Sequence, residues 1–236
     1  MKPNETKFDG SVLEKRIGIT FKNKALFRNA FVHRSYLNEH AQFSLPSNEK
    51  LEFLGDSVLS LIASEHLYRN YPAYQEGDYT DIKAAIVNTT SLYKAAKALQ
   101  LGKFLHLSKG ERENKGEEST SILADCFEAL LGAIYLEKGF KTATEFVQKF
   151  LFNDTLPQII QQKLYLPSKN VLQEYYQDKY KKLPIYKVLK EIGPEHNKLY
   201  EIGVYDGDQQ LGLGSGKSKK QAEEDAARKA LQKRGL

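Results

Sequence analysis

Carboxylates at helical spacing are the residues of this chain best equipped for chemistry. Glu49, Glu52 and Asp56 lie in the run Asn-Glu-Lys-Leu-Glu-Phe-Leu-Gly-Asp-Ser-Val-Leu over 48–59. At 100° per residue a helix gathers them within about 60° of one another. Leu51, Leu54, Val58, Leu61 and Ile62 then fall on roughly the opposite side, with Phe53 and Leu59 flanking the acidic stripe. A second apolar run, 121–135, sets Asp125 and Glu128 three apart on one face, against Leu123, Phe127, Leu130 and Ile134 on the other. Ionised carboxylates in apolar surroundings are costly unless something pairs with them. The first run contains one lysine, Lys50, so a bound cation is the natural partner. Acids from two helices facing a common cleft make an oxygen-only donor set. That set suits Mg²⁺, which takes a few carboxylates and keeps its remaining waters for substrate. No His or Cys cluster has zinc spacing, so a softer ion is disfavoured.

The elements that must position these acids are helical. Apolar periodicity predicts helices over 12–17, 24–31, 48–69, 76–88, 90–99, 121–138 and 141–153, with few strand signals. A charged, glycine-bearing loop over 110–118 precedes the second acidic helix. Beyond it the texture changes. A helix over 170–180 is followed by strands over 185–192, 199–205 and 209–214, with an Asp-Gly-Asp hairpin turn at 206–208. Ser218, with Gln221 three residues later, reads as a capping box opening a last helix. The expected fold is mainly α: an all-helical domain over 1–157, a linker over 158–167, and a small α-β-β-β-α domain over 168–236.

Bulk properties narrow the classes. A hydrophobic content of 41% with 28% charged residues is that of a soluble globular protein. No run approaches the ~20 apolar residues of a membrane span, and the polar first residues lack a signal-peptide core. The single cysteine, Cys126, rules out an intrachain disulfide framework and fits a reducing cytoplasm. No membrane partner is expected. A net charge of +5 and a pI near 9.0 lean toward a polyanionic partner. The excess is uneven: residues 167–236 carry 14 Lys and Arg against 10 acids, whereas the first 166 carry 21 against 20. Binding and chemistry are thus expected in separate modules.

The basic element is Gly214-Ser-Gly-Lys-Ser-Lys-Lys220 at the start of the last predicted helix. Free backbone N–H groups and the helix dipole favour anions there. Lys217, Lys219 and Lys220 add point charges suited to phosphate oxygens. The strand-linking loop Gly193-Pro-Glu-His-Asn-Lys198 projects His196. Gln173, Glu174 and Gln177 on the preceding helix offer polar groups to 2′-hydroxyls and base edges. No aromatic platform for unpaired bases is evident in this module, so duplex RNA is the expected partner.

On these residues the chain resembles a known family. Residues 167–236 resemble a double-stranded RNA-binding domain, through Leu172-Gln-Glu-Tyr175, the 193–197 loop and the 214–223 ending. The first part is similar to the ribonuclease III endonuclease domain, whose signature helix is 48–59. Ala30-Phe-Val-His-Arg-Ser-Tyr36, Glu76-Gly-Asp78 and 121–130 support the match. The resemblance implies hydrolysis of phosphodiesters in double-stranded RNA with Mg²⁺, Mn²⁺ being able to substitute, and no organic cofactor. It implies 5′-phosphate and 3′-hydroxyl products with short 3′ overhangs, a homodimer, and work on ribosomal precursor and messenger RNA. Carried over, Glu52, Asp56, Asp125 and Glu128 are the metal-binding acids, Asp56 and Glu128 being foremost in catalysis. Glu49 and Glu76 act from the edge of the site. Lys50 departs from the family's more frequent arginine, and Gly116 stands where relatives often have a glycine pair. The competing readings are a non-catalytic RNA-binding protein, which has no use for four converging acids, and a Mg²⁺-dependent nucleotide hydrolase with an RNA tether, for which residues 1–150 offer no phosphate-cradling glycine loop.

Overall fold

The computed structural model describes residues 9–194 and 198–235, apart from the side chain of Asp154. The chain divides between Tyr165 and Leu166 into two compact units, each with its own apolar core.

The first unit is helical. Short helices α1 (Ser11–Ile17), α2 (Lys24–Asn29) and α3 (Arg34–Glu39) lead into the long α4 (Glu49–Asn70). Then come α5 (Glu76–Ile86), α6 (Thr89–Ala98), α7 (Lys109–Glu113), α8 (Thr120–Val147) and α9 (Asn153–Gln161). Helix α9 runs into the stretch expected as linker, because its Leu156 and Ile159 are buried in the core. Helix α8 breaks at Gly139, whose φ of 80° only glycine adopts without strain. This is where the sequence separates two helices. The expected loop 110–118 is ordered as α7 and a 3₁₀ turn, Gly116–Glu118. Ser108 caps α7 by accepting from the Glu111 N–H at 3.1 Å.

Helices α4 and α8 pack along each other through glycines. A Cβ on Gly55 would lie 1.8 Å from the Glu128 carbonyl oxygen, and one on Gly132 would lie 2.3 Å from the Leu51 carbonyl oxygen. No other residue permits this approach. It also corrects the expected faces of α4. The buried face comprises Leu51, Gly55, Val58, Leu59, Ile62, Ala63 and Leu67, so Leu59 is core. Leu61 is 58% exposed instead and joins Phe53 (78%) and Tyr68 (75%) in an outward stripe. The acids therefore lie at the edge of the buried face, toward α8, rather than opposite it.

The second unit opens with α10 (Ser168–Tyr180). Strands β1 (Ile185–Ile192), β2 (Leu199–Asp206) and β3 (Gln209–Gly216) form an antiparallel sheet in sequence order. Helix α11 (Lys219–Gln232) closes the unit. Leu172 and Tyr176 from α10, Val204 and Leu211 from the sheet, and Ala226, Ala227 and Ala230 from α11 form its core. The fold is mainly α, with the α-β-β-β-α order that the sequence predicts.

Gly55→Ala tests the helix contact. The added methyl should lower the denaturant midpoint by the equivalent of about 3 kcal/mol; a wild-type midpoint would show that α4 and α8 separate without cost.

Candidate metal centre and nucleic-acid interface

The N-terminus of α4 is fixed before its acids are placed. The buried Asn48 donates its backbone N–H to the Val32 carbonyl at 2.8 Å and its side-chain amide to the Ala30 carbonyl at 3.3 Å. The segment carrying Val32 and His33 is stitched to residues 106–108. The His33 N–H donates to the His106 carbonyl at 3.1 Å, and the Ser108 N–H to Ser35 Oγ at 3.1 Å. Burial and the nearby Arg28 and Arg112 charges lower the His106 pKa to about 4, leaving its ring a neutral acceptor for Arg28 Nε at 3.4 Å. His33 caps α3 by accepting from the Ser35 N–H at 3.3 Å.

On this frame the two acidic helices meet. Glu52 from α4 and Asp125 and Glu128 from α8 each offer a carboxylate oxygen, all within 4.8 Å of one another. Burial pushes the Glu128 pKa up to about 8, and Asp56, Asp125 and Glu52 push in the same direction. Glu52 is raised by burial, then by Asp125 and Glu49. Asp125 is raised by burial against the opposing charges of His33 and Arg34. Three carboxylates that resist ionising together, with only oxygen donors, fit a hard divalent cation of the Mg²⁺ type.

The expected residues divide on inspection. Glu52, Asp125 and Glu128 converge. Asp56 is exposed on α4 one turn along and faces Glu128 electrostatically, outside that trio. Glu49 is exposed beside them; Ser47 Oγ donates to its carboxylate at 2.7 Å, and Arg34 Nη1 lies 3.6 Å away. Glu76 begins α5, where its carboxylate accepts from Thr80 Oγ1 at 3.2 Å and does not enter the cluster. Two residues not singled out for this role, Arg34 and Glu111, line the same cavity of about 620 Å³ as Glu49, Glu52 and Asp125. Only tertiary stitching of 31–35 to 106–108 brings them there, so spacing in sequence holds no signal for them. Cys126 is buried as packing, its thiol held well above the usual range by burial.

In the second unit Gln173, Glu174 and Gln177 are exposed along α10. Lys217, Lys219 and Lys220 are exposed at the start of α11. Ser218 accepts from the Gln221 N–H at 3.2 Å, and Gln221 Oε1 accepts from the Lys217 N–H at 3.1 Å. Gly212 and Gly214 let α11 approach the sheet: a Cβ on Gly214 would lie 2.1 Å from the Ala226 nitrogen. Lys219 Nζ is 3.4 Å from Glu191 Oε1, whose other oxygen is 3.4 Å from Lys198 Nζ. His196 lies outside the described residues.

Comparison with known proteins fits this geometry. The Ribonuclease-III-like family model matches residues 23–155, and the double-stranded RNA binding motif matches 168–234. Ribonuclease 3 of Oceanobacillus iheyensis is 43% identical over 219 residues, covering 93% of this chain and 95% of that protein. Ribonuclease 3 of Borreliella burgdorferi is 44% identical over 228 residues, covering 97% and 92%. The nuclease domain of the Campylobacter jejuni ribonuclease III superposes with a TM-score of 0.58 at 38% identity, covering 63% of this chain and 99% of that one. The chain belongs to the ribonuclease III family. Among the described residues no helix is long and apolar enough to cross a membrane.

The raised Glu128 pKa has a consequence for stability. A carboxyl raised on folding stabilises below its unfolded value of 4.5, and that contribution is lost as pH rises toward about 8. Protein kept in chelator should therefore lose thermal stability across that window. Glu128→Gln, neutral throughout, should flatten the loss and melt several degrees higher than wild type at about pH 9. Parallel pH profiles for the two proteins would contradict the assignment.

Proposed function

We propose that this protein is a Mg²⁺-dependent endoribonuclease that cuts double-stranded RNA. The observation that carries the reading is the convergence of Glu52, Asp125 and Glu128 from two helices, in a chain that also has a double-stranded RNA-binding fold. Glu52, Asp125 and Glu128 would hold the ion, with Asp56 beside them, and Mn²⁺ could replace Mg²⁺. When bound, the ion lowers the pKa of an attacking water and neutralises charge on the scissile phosphate. The chain's own contribution is to fix three oxygens through backbone-anchored helices, so that no reorganisation is needed at the moment of reaction. Glu49 and Glu76 act at the periphery, on RNA or water. Gln173, Glu174, Gln177 and His196 read the duplex minor groove, while Lys217, Lys219 and Lys220 grip phosphates. Products carry 5′-phosphate and 3′-hydroxyl ends with short 3′ overhangs. The natural substrates are ribosomal precursor and other structured RNAs in the cytoplasm.

The enzyme works as a homodimer. Support comes from the stripe of Phe53, Leu61 and Tyr68, which one protomer leaves uncovered, and from the Campylobacter jejuni relative, whose nuclease domain has a region involved in dimer formation. Sedimentation should give a dimer, and Phe53→Asp should shift it to monomer; a monomeric wild type would remove this part of the reading.

Cleavage decides the main claim. With Mg²⁺ a long RNA duplex should be cut, and without it left intact. Glu128→Gln should reduce kcat by about a thousandfold while duplex binding survives. Undiminished cleavage by that variant would take Glu128 out of the mechanism.

A further inference from the structure

An arginine stands among these acids. Arg34, the first residue of α3, is the permanent cation whose charge registers on both Glu52 and Asp125 among the described residues. Its root is rigid, since His33 before it and Ser35 after it are both bonded to the 106–108 segment. Its tip is loosely held. The guanidinium side chain is 74% exposed, and Nη1 lies 3.6 Å from Glu49 Oε1, beyond hydrogen-bonding distance. Glu49 does not depend on it, because its other oxygen is held by Ser47.

We infer that Arg34 is a positioning residue that grips the phosphate next to the scissile one in the cavity it lines beside the acids. The inference rests on the reading of the protein as an RNA-cutting enzyme. RNA must bring consecutive phosphates past a wall of carboxylates. A bound ion would offset charge only at the site of cleavage, and an adjacent phosphate would still face Glu49 and Glu111, which line the same cavity. A guanidinium fork binds two phosphate oxygens at once. Leaving Glu49 costs Arg34 little, since exposed ion pairs contribute marginally. Asn38, Ser119 and Ser121, on the same cavity, are neutral hydrogen-bonding groups suited to ribose hydroxyls.

This assignment has two consequences of opposite sign. Without Arg34 the acids sit in a more negative field, so a divalent ion binds more tightly. RNA, having lost a charge-assisted contact, binds less well. A variant that merely disturbs the fold weakens both. The test measures Mn²⁺ binding to RNA-free protein by electron paramagnetic resonance, together with steady-state cleavage of a short RNA duplex. Arg34→Ala should bind Mn²⁺ about threefold more tightly and raise KM about tenfold, with kcat within about twofold of wild type. Arg34→Lys, which keeps the charge but loses the fork, should recover only part of the KM. An unchanged KM in Arg34→Ala, or Mn²⁺ affinity falling together with kcat, would overturn the role of Arg34. Wild-type protein inert toward duplex RNA would overturn instead the enzymatic reading, and this one with it.

Discussion

The backbone contact between α4 and α8 is the constraint on which the rest of the structure depends. Gly55 lies between Glu52 and Asp56 on one helix and meets the carbonyl of Glu128 on the other. Any side chain there would force the helices apart and carry the acids out of reach of one another. Packing supplies the force that holds them. Leu51, Val58, Leu59 and Ile62 bury against a helix whose Leu123, Phe127, Leu130 and Ile134 are almost fully enclosed. Apolar burial of this extent contributes far more than the mutual repulsion of a few half-buried carboxylates removes. The fold can therefore keep like charges together, and burial first, then neighbouring acids at Glu52 and Glu128, leaves these carboxyls reluctant to ionise.

Much of this was legible in the sequence because it is written at helical periodicity. Both acidic runs, the break near Gly139 and the capped start of α11 follow from local patterns that need no tertiary partner. The faces of α4 were read less well. Gly55 has no side chain and counts for nothing in a hydrophobic tally, yet it sits at the centre of the buried face and shifts that face toward Leu59. Leu61 is apolar and fell by counting into the core, but it points outward with Phe53 and Tyr68. Helix α3 lies outside the expected helices because its six residues bury no side chain and carry no apolar rhythm, their start being marked by the His33 cap. The grouping of Arg34 and Glu111 with the acids depends on hydrogen bonds across about seventy residues of chain, and no local pattern encodes it.

The division of charge between the units follows from the same acidic cluster. A site crowded with carboxylates repels the polyanion it is proposed to cut, and neutralising one phosphate does not change the sign of its surroundings. Binding energy has to come from elsewhere on the chain. The second unit has it, with an excess of cations and lysines gathered at a helix N-terminus. Even there the charge is restrained. Glu191 lies 3.4 Å from both Lys219 and Lys198 and offsets part of their charge.

Separating grip from chemistry also determines how the protein should respond to its surroundings. Any contact between exposed lysines and RNA phosphates would weaken as salt rises, because releasing condensed counterions then gains less entropy. The half-buried acids are screened much less, and their grip on an ion depends on the spacing that α4 and α8 impose. Ionic strength thus acts mainly on the second unit, whereas pH and divalent ion concentration act mainly on the first. Arg34 is the exception in the first unit. As an exposed cation on a rigid root, it carries the salt-sensitive kind of contact to the edge of the carboxylate cluster.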